Sequence, residues 1–385
     1  ATLAVTGYSG QAAIMAPTEI LASQLFENFS RWFERFSGNK CLLLTGKDKG
    51  KKRLAKLKAI KQGEVSIIVG THALFQNDVE FKNLLLIVVD EQHRFGVHQR
   101  MALREKGLHG DVVPHQLIMT ATPIPRSLAM TAYADLDYSV IDELPAGRKK
   151  VSTVVISDQR RNEVIARVAQ ACRQGEQAYW VCTLVEESEV LQCQAAEDSA
   201  VQLSQEFRDL NIGLVHGRMK QDEKDAIVEK FKAGDINLLV ATTVIEVGVD
   251  IPNASLMIIE NAERLGLSQL HQLRGRVGRG EKQSACVLMY AAPLSERAKQ
   301  RLSILRENDS GFVIAQKDLE MRGAGEVLGT RQTGIVGMRI ADVLRDEYML
   351  EDVKLAALEI QKNYPERITH LINRWLGKSE QYGSV

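Results

Sequence analysis

Eleven short apolar runs, each followed by a segment of helical period, constrain the fold of this chain more than any other feature. They are AAIMAP, CLLLTG, VSIIVGT, LLLIVVDE and QLIMTAT in the first half, and VSTVVIS, AYWVCT, NIGLVHG, NLLVAT, SLMIIE and ACVLMY in the second. Continuous apolarity, without polar alternation, is typical of strands buried on both faces of a parallel sheet. Strands that alternate with helices then predict an α/β fold with two doubly wound parallel sheets, one in each half.

Interruptions of this pattern predict three parts. Pro145, Gly147 and a basic cluster break the alternation near residues 142–151, and from about residue 295 the pattern becomes helical. A length of 385 residues agrees with two or three domains. We therefore predict a first lobe at 1–144, a second lobe at 145–294 and a mainly helical extension at 295–385.

Composition narrows the class of protein. Apolar residues make up 45% and charged residues 25%, as in an ordinary soluble α/β protein. The net charge of +0 argues neither for nor against a polyanionic partner, so only local clusters of charge can indicate one. The five cysteines form no C-x-x-C pair, which favours buried thiols over disulfides or a metal site. Neither a signal-peptide pattern nor an apolar run of the ~20 residues that span a membrane is present, so we expect a soluble cytoplasmic protein.

Two adjacent carboxylates, Asp90 and Glu91, come directly after the run LLLIVV. At the end of a strand, Asp90 can reach Mg²⁺ through water, and Glu91 can orient and deprotonate an attacking water. A bare DE pair would favour a helix N-cap or a solvated turn, but Gln92, His93 and the clusters below favour a nucleotide site. The metal would bridge phosphates, yet the phosphate-binding pattern G-x-x-x-x-G-K-[ST] does not occur in the 385 residues.

The segment HQLRGRVGRG places Arg274, Arg276 and Arg279 among glycines. Guanidinium groups bind phosphate oxygens bidentately and keep their charge when they are desolvated. The pattern Q-x-x-G-R-x-x-R fits Gln272, Arg276 and Arg279, which predicts arginines that act from the second lobe on a γ-phosphate held by the first. A solvated helix face is the alternative.

Further polar residues follow apolar runs, where the ligands of parallel sheets gather. Gly248 permits close backbone approach, and Asp250 can bond a ribose or an arginine. Thr18 is expected at a helix N-cap, where exposed amides could hold a backbone phosphate of nucleic acid. The other hydroxyl candidates, for phosphate contact or for relaying the state of the nucleotide site, are Thr71, Thr120, Thr122 and Thr243. Ordinary caps and loops remain the alternative for each.

A lysine-rich segment at 46–63 is expected to begin a helix. It carries one acid, Asp48, against eight basic residues: Lys47, Lys49, Lys51, Lys52, Arg53, Lys56, Lys58 and Lys61. A solvated face and a nucleic-acid contact both remain open. The position between two candidate phosphate-contacting loops supports the second.

Taken together, APTEIL, VGTHALF, DEQH, TATPIPR, ATTVIEVGVD and QLRGRVGR resemble, in order, the motifs of superfamily 2 helicases and translocases from motif Ia onward. The longer stretches DEQHRFGVHQR and ENAERLGLSQLHQLRGRVGRG resemble the RecG family of DNA translocases. GFVIAQKDLEMRGAGEVLGTRQTG resembles the translocation motif that this family shares with the transcription-repair coupling factor. The resemblance implies two RecA-like lobes, ATP hydrolysis with Mg²⁺, and remodelling of stalled replication forks and branched junctions.

Carried over residue by residue, the resemblance makes Asp90 the Mg²⁺-associated acid and Glu91 the base. It assigns coupling roles to Gln92 and His93, and γ-phosphate contacts to the two arginines of Q-x-x-G-R-x-x-R. It makes Arg301 and Arg322 the arginines of a helical hairpin, and Gln332 part of the loop that transmits lobe closure to duplex DNA.

The resemblance also implies partners. They are branched or forked duplex DNA, with single-stranded DNA-binding protein as a further candidate, bound by a monomer in the bacterial cytoplasm near the nucleoid. RecG proteins carry a phosphate-binding loop and a wedge domain ahead of these motifs, so the chain is expected to be a motor fragment without ATPase activity. The alternatives are a transcription-repair coupling motor and a non-catalytic nucleic-acid-binding module whose nucleotide site has decayed.

Overall fold

The computed structural model describes residues 1–34, 40–91, 95, 103–108, 112–120, 137, 139–143, 145, 147–183, 189–243, 251–280, 282–322 and 346–375. Two compact units are present: Ala1–Tyr138 together with Leu319–Val385, and Ser139–Asp318. The three-part division at residues 144 and 294 stays a prediction.

The first unit contains, in its described residues, one five-stranded sheet. Its strands are β1 (Gln11–Met15), β2 (Cys41–Leu44), β3 (Ile67–Gly70), β4 (Leu84–Val89) and β5 (His115–Ile118). They lie in the order β2-β3-β1-β4-β5, and each neighbouring pair is parallel. The accompanying helices are α1 (Thr2–Gly7), α2 (Glu19–Phe33) and α3 (Gly50–Gln62).

The second unit contains a six-stranded parallel sheet in its described residues. Its strands are β6 (Ser152–Ser157), β7 (Gln177–Val181), β8 (Ile212–Val215), β9 (Leu238–Ala241), β10 (Ala254–Ile259) and β11 (Ala285–Tyr290), in the order β6-β11-β10-β7-β9-β8. Its helices are α4 (Arg161–Arg173), α5 (Glu189–Glu206), α6 (Gln221–Ala233), α7 (Leu267–Arg274), α8 (Glu296–Glu307) and α9 (Gly311–Arg322), the last of which runs across the border of the units.

Two more helices follow near the end of the chain, α10 (Leu350–Asn363) and α11 (Ile368–Trp375). Single turns of 3-10 helix lie at His72–Phe75, Asp158–Arg160, Ala262–Arg264, Glu347–Met349 and Pro365–Arg367. Every one of the eleven apolar runs therefore forms a strand, and the predicted fold class is confirmed, including the helical C-terminal part.

The two sheets repeat one topology, since β2-β3-β1-β4-β5 corresponds to β8-β9-β7-β10-β11 once β6 is set aside. Both central strands begin with a buried glutamine. The Gln11 amide donates to two carbonyl oxygens across the α3–β3 connection, at 2.9 and 3.0 Å, and the Gln177 amide does the same across the α6–β9 connection, at 2.5 and 2.8 Å. The helices that contribute one of these carbonyls, α3 and α6, each end at a glycine in the left-handed conformation, Gly63 and Gly234 respectively. The two halves thus share side-chain interactions as well as strand order.

Both faces of the first sheet are covered by helices. Met15 of β1 packs in a core with Ile60 of α3, whereas its neighbour Ile14 packs in a separate core with Phe33 of α2. In the second unit, Trp180 of β7 is fully buried in a core with residues of α4 and α5. Two-sided burial is why the strands inside each sheet are continuous apolar runs in the sequence. The edge strand β5 departs from this expectation, since three of its four residues are exposed.

Four of the five cysteines are buried, as the sequence predicts. Cys172, Cys182, Cys193 and Cys286 are buried and Cys41 is partly exposed, and all five are free thiols. Burial raises the pKa of the Cys172 thiol to about 11 and that of Cys286 to about 12, so both stay protonated at neutral pH. Among the described helices, none has the length and apolarity to cross a membrane.

Candidate nucleotide and nucleic-acid sites

The carboxyl ends of the first-unit strands lie at one level. The register pairs Met15 with both Gly70 and Val89, and Val89 with Ile118. The segments that follow these strand ends therefore leave the sheet at one edge, and they contain Thr18, Thr71, Asp90, Glu91 and Thr120. The predicted first-lobe residues that the structure describes are thus brought together along this edge.

Asp90 and Glu91 form a sharp exit from β4. The Asp90 amide still donates to the carbonyl of Met15 at 3.0 Å, as in the sheet, and the Glu91 amide donates to Asp90 Oδ1 at 3.0 Å. Glu91 has φ 53°, a left-handed conformation that costs a non-glycine residue about 1–3 kcal/mol and that gathers at functional sites. Both side chains are half-buried. The turn therefore holds the Asp90 carboxylate at the end of the strand.

The donor set at this edge fits Mg²⁺ only together with phosphates. Mg²⁺ in nucleotide sites is held by one or two carboxylates, waters and substrate phosphates. In the described part of the chain, no group of three or more His, Cys, Asp or Glu side chains could hold a metal ion. Asp90, oriented by the Glu91 amide, fits as the single protein carboxylate of such an ion.

The N-terminus of α2 is capped as predicted. Thr18 is extended, and its side-chain oxygen accepts from the Leu21 amide at 3.4 Å. Glu19 occupies the first turn, where a negative charge is favoured by the helix dipole, and it forms an ion pair with Lys47 at 3.2 Å. A phosphate at this terminus would lie beside that ion pair.

Thr71 and Thr120 differ in exposure. Thr71 follows β3 and is only 1% exposed, and its hydroxyl is buried without a hydrogen-bond partner among the described residues. A buried, unpaired hydroxyl in a native protein is uncommon and calls for an explanation such as a water or a ligand. Thr120, just past β5, is exposed. The nucleic-acid and relay roles of the two threonines stay predictions.

The lysine-rich segment divides into paired and exposed residues. Ion pairs within the unit hold Arg53 to Asp78 through two contacts of 2.9 Å, Lys56 to Asp48 at 2.6 Å and Lys61 to Glu80 at 2.6 Å. In the described residues, no ion pair is formed by the exposed lysines Lys49, Lys51, Lys52 and Lys58. We call these four, the N-cap residue Lys49 and three residues of the helix, the lysine face of α3. Arg53, by contrast, is a structural residue.

A buried carboxylate organises the loop that precedes α3. Asp48 accepts from the Thr45 amide at 3.0 Å and from Lys56 at 2.6 Å. Burial would raise the pKa of Asp48, but the hydrogen bonds from Lys56 and the Thr45 amide outweigh it and keep the pKa below the ordinary value. TGKDKG is therefore a strand-to-helix turn closed around an ionised carboxylate, whose charge would repel a phosphate.

The strand ends of the second unit are level in the same way. Val181 pairs with both Ala241 and Ile259, and Ala241 pairs with Val215. Thr243 is half-buried just past β9, at this edge. The Thr183 hydroxyl, which the sequence analysis did not single out, bridges the edge by donating to the Glu260 carbonyl at 2.5 Å.

The arginine segment, residues 275–280, is a tight turn after α7. Arg276 is buried, Arg279 is exposed, and Gln272 is half-buried one turn earlier. Arg279 Nε donates to the Gly275 carbonyl at 3.2 Å. Gly278 has φ 77°, and a Cβ at this position would lie 2.7 Å from a methyl group of Val151. The backbone that carries the two predicted γ-phosphate arginines is therefore closely constrained.

Arg274 does not belong with those two arginines. It is 4% exposed, and its Nη1 donates to the carbonyls of Leu305 at 2.8 Å and Asn308 at 2.9 Å, at the end of α8. Grouping it with phosphate-facing arginines was therefore wrong for this structure. Its spacing from Leu267 and Leu270, at i, i+3 and i+7, is the signal for the buried face of α7.

Arg301, on α8, donates through Nη2 to the carbonyl of Glu263 at 2.6 Å. Several other predicted residues lie outside the described residues: Gln92, His93, Thr122, Gly248, Asp250, Gln332 and the side chain of Arg322.

Three family models match the chain in sequence. They are DEAD/DEAH box helicase at residues 2–131, Helicase conserved C-terminal domain at 159–281, and ATP-dependent DNA helicase RecG, domain 3, C-terminal at 307–373. The first covers all five strands of the first sheet, the second covers β7 to β10 of the second sheet, and the third begins at the end of α8.

Relatives match along nearly the whole chain. The ATP-dependent DNA helicase RecG of Escherichia coli (strain K12) is 59% identical over 386 residues, which cover 100% of this chain and 56% of the relative. That of Pasteurella multocida (strain Pm70) is 61% identical over 376 residues, 97% of this chain and 54% of the relative. The chain spans a little over half the length of these relatives.

Solved structures agree. A structure of RecG bound to a three-way DNA junction superimposes with a TM-score of 0.70 at 41% identity, covering 91% of this chain and 45% of that one. Saccharomyces cerevisiae Dbp5 bound to RNA and ADP BeF3, at 17% identity, 79% and 75% coverage and a TM-score of 0.56, shows the fold alone. From the whole-chain identity and the RecG-specific domain match, the chain belongs to the RecG family of helicases.

Proposed function

We propose that the chain is the motor portion of an ATP-dependent translocase of double-stranded DNA that remodels stalled forks and branched recombination junctions. The observation that carries the proposal is the turn at Asp90 and Glu91, where a left-handed backbone places two adjacent acidic residues at the end of β4. The RecG relatives, one of them solved on a three-way DNA junction, supply the substrate class.

Each residue has a chemical role in this proposal. Mg²⁺, when bound, would neutralise negative charge on the phosphates of ATP. Asp90 contributes the protein carboxylate to that ion, and Glu91 orients the attacking water and accepts its proton. Arg276 and Arg279 neutralise charge that develops on the γ-phosphate, and Asp250 and the backbone at Gly248 contact the nucleotide.

Duplex DNA is proposed to bind through its phosphates. The lysine face of α3 and the Thr18 cap at the N-terminus of α2 offer cations and amides, and neither is a base-reading element. Thr71 and Thr243 are proposed to add backbone contacts. The coupling residues are proposed to be Gln92, His93, Gln272, Thr120, Thr122, Arg301, Arg322 and Gln332.

The proposal extends to organisation and context. We propose lobes at 1–144 and 145–294 with a translocation region at 295–385, acting as a monomer in the bacterial cytoplasm near the nucleoid. Single-stranded DNA-binding protein is a further proposed partner.

The test uses the whole protein on forked duplex DNA with ATP. We expect fork unwinding and DNA-stimulated hydrolysis, both abolished by Glu91→Gln. A protein that displaces a stalled RNA polymerase and leaves forks intact would instead be a transcription-repair coupling motor. Binding to DNA without hydrolysis in the whole protein would identify a non-catalytic module.

A further inference from the structure

Arg274 connects α7 to the hairpin, by which we mean α8, α9 and the turn between them at residues 308–310. Its guanidinium donates to the carbonyls of Leu305 at 2.8 Å, Asn308 at 2.9 Å and Asp309 at 3.3 Å, and it lies 3.1 Å from His271 Nδ1. The last carbonyls of a helix have no partner within it. Arg274 therefore caps the end of α8 from a different helix.

The contact requires a guanidinium group in particular. One planar fork reaches three carbonyls that belong to the helix end and to the turn, whereas a lysine ammonium is a compact point charge. Burial and the neighbouring Arg274 lower the pKa of His271 to about 4, so the imidazole is neutral and its Nδ1 can accept from Arg274. The hydrogen bonds thus fix both the position and the orientation of the side chain.

Two more contacts join the same elements. Ser268, in the first turn of α7, donates to Asp318 Oδ2 on α9 at 3.1 Å. Arg301 of α8 donates to the carbonyl of Glu263, just before α7, at 2.6 Å. Both helices of the hairpin are therefore bonded to α7 or to the residues that lead into it.

The arginine segment begins directly after Arg274. Arg276 follows by two residues and Arg279 by five. On its far side the segment is fixed by Arg148, whose Nε donates to the Gly278 carbonyl at 3.1 Å, and by the close approach of Gly278 to Val151. The short segment that carries the two predicted γ-phosphate arginines is therefore fixed at both ends, by Arg274 on one side and by Arg148 and Val151 on the other.

We propose that Arg274 is a positioning residue that makes the arginine segment and the hairpin move as one. Arg274 contacts neither nucleotide nor DNA; it transmits a displacement of Arg276 and Arg279 to the turn at residues 308–310. The inference rests on the proposed function, because it assumes that nucleotide engages the arginine segment and that the hairpin acts on DNA.

The experiment compares wild-type whole protein with Arg274→Lys. This substitution keeps the positive charge and removes the planar guanidinium group. KM for ATP should stay within about twofold, because nucleotide contacts are intact. The amount of forked DNA unwound per ATP hydrolysed should fall by about fivefold or more, the lower end of typical coupling between sites. The matched control is Arg173→Lys, which alters an exposed bidentate pair with Asp209 in the same unit and should change neither quantity.

Hydrogen exchange gives a readout that reduced stability alone would not mimic. Adding a non-hydrolysable ATP analogue with Mg²⁺ should alter amide exchange at both 275–280 and 305–311 in the wild type, but only at 275–280 in Arg274→Lys. If Arg274→Lys does not fold, Ser268→Ala replaces it, with a smaller fall in unwinding per ATP expected. Unchanged unwinding per ATP, or exchange at 305–311 that still responds, overturns the inference. A wild-type protein that neither hydrolyses ATP on forked DNA nor unwinds it overturns the proposed function instead.

Discussion

At Glu91 the chain leaves β4 with φ 53°, a region that non-glycine residues rarely occupy. Glycine would adopt this conformation without steric cost, but it would bring no carboxylate. The Asp90 carboxylate accepts a hydrogen bond from the Glu91 amide, so the turn that places Glu91 also fixes the carboxylate of Asp90. Strain that persists at a residue with a proposed chemical role is typical of functional sites.

Replacing Glu91 by glutamine should therefore separate chemistry from folding. Glu91→Gln removes the base and preserves size, so DNA-stimulated ATP hydrolysis by the whole protein should fall by about 10²–10⁴-fold. The urea midpoint should not change, since the substitution leaves the buried core intact. Glu27→Gln, on the exposed surface of α2, is the control and should leave hydrolysis unaltered. Hydrolysis by Glu91→Gln close to the wild-type rate would exclude Glu91 as the base.

Side chains show where sequence reasoning stops. Thr18 could be predicted as a cap because its partner, the Leu21 amide, lies three residues away. Arg53 and Arg274 could not be assigned, because the oxygen atoms that accept from them lie 23 to 35 residues along the chain and meet them only after folding. A basic residue in a sequence carries no mark of whether it will face a phosphate, a carboxylate or a helix end.

The buried glutamines at the starts of β1 and β7 allow a paired stability prediction. Gln11 donates two hydrogen bonds and accepts two more, from the amides of Lys82 and Asn83. Gln11→Met would leave buried backbone groups unpaired, and it should lower the free energy of unfolding of the first unit by about 1–3 kcal/mol. Gln177→Met should act likewise on the second unit, whereas exposed Gln62→Met should have little effect. Urea unfolding followed by hydrogen exchange would assign each decrease to its unit; equal stability of all variants would contradict the argument.

At the scale of elements, some basic residues of α3 form ion pairs with acids of the same unit, whereas others are exposed to solvent. Arg53, Lys56 and Lys61 form ion pairs with acids of the first unit. Among the described residues the lysine face forms no ion pair, although Lys52 lies near enough to Asp48 to help lower the pKa of that carboxyl. Exposed ion pairs contribute little stability, so these three pairs do not by themselves explain why α3 is rich in lysine. Phosphate contact is the role that we propose for the lysine face.

Removing two lysines of this face should weaken DNA binding in a salt-dependent way. In log-log terms, Lys51→Ala with Lys52→Ala should flatten the salt dependence of duplex binding by up to about 2 units, at about 0.9 for each phosphate that is no longer neutralised. Arg160→Ala with Arg173→Ala removes the same charge from residues already paired with Glu163 and Asp209, and it should leave the slope unchanged. Titrations at several salt concentrations measure both. Identical slopes for the two double variants would assign the lysine face to solvent.

At the scale of the whole molecule, one α/β topology occurs twice, and this was accessible from sequence because two-sided burial imposes continuous apolar runs. The repeated hydrogen bonds of the two buried glutamines could not be predicted from the sequence. Gln11 and Gln177 perform the same task, but neither lies in a recognisable motif, since their partners are backbone carbonyls that carry no sequence signature. Local patterns thus predicted the elements, and long-range contacts decided how they are held.

The last prediction concerns hydrolysis by the 385-residue polypeptide itself. No G-x-x-x-x-G-K-[ST] occurs in it, and its nearest substitute, TGKDKG, is closed around Asp48. Phosphoryl transfer depends on positioning and on neutralised charge, and Asp90 alone does not retain Mg²⁺ without held phosphates. Glu91 and the arginines then have no bound nucleotide on which to act, so we expect no ATPase activity, with or without forked DNA.

A longer product that carries a phosphate-binding loop ahead of Ala1 is the comparison, assayed for Mg²⁺-dependent phosphate release under the same conditions. Its turnover should be stimulated by forked DNA and abolished by Arg279→Ala, because the charge on the γ-phosphate would no longer be neutralised. Fork-stimulated turnover by the 385-residue polypeptide that disappears in Glu91→Gln would show that these residues hold ATP without such a loop. The phosphates would then have to be bound by groups other than loop amides, and the lysine face of α3 would be the first place to look.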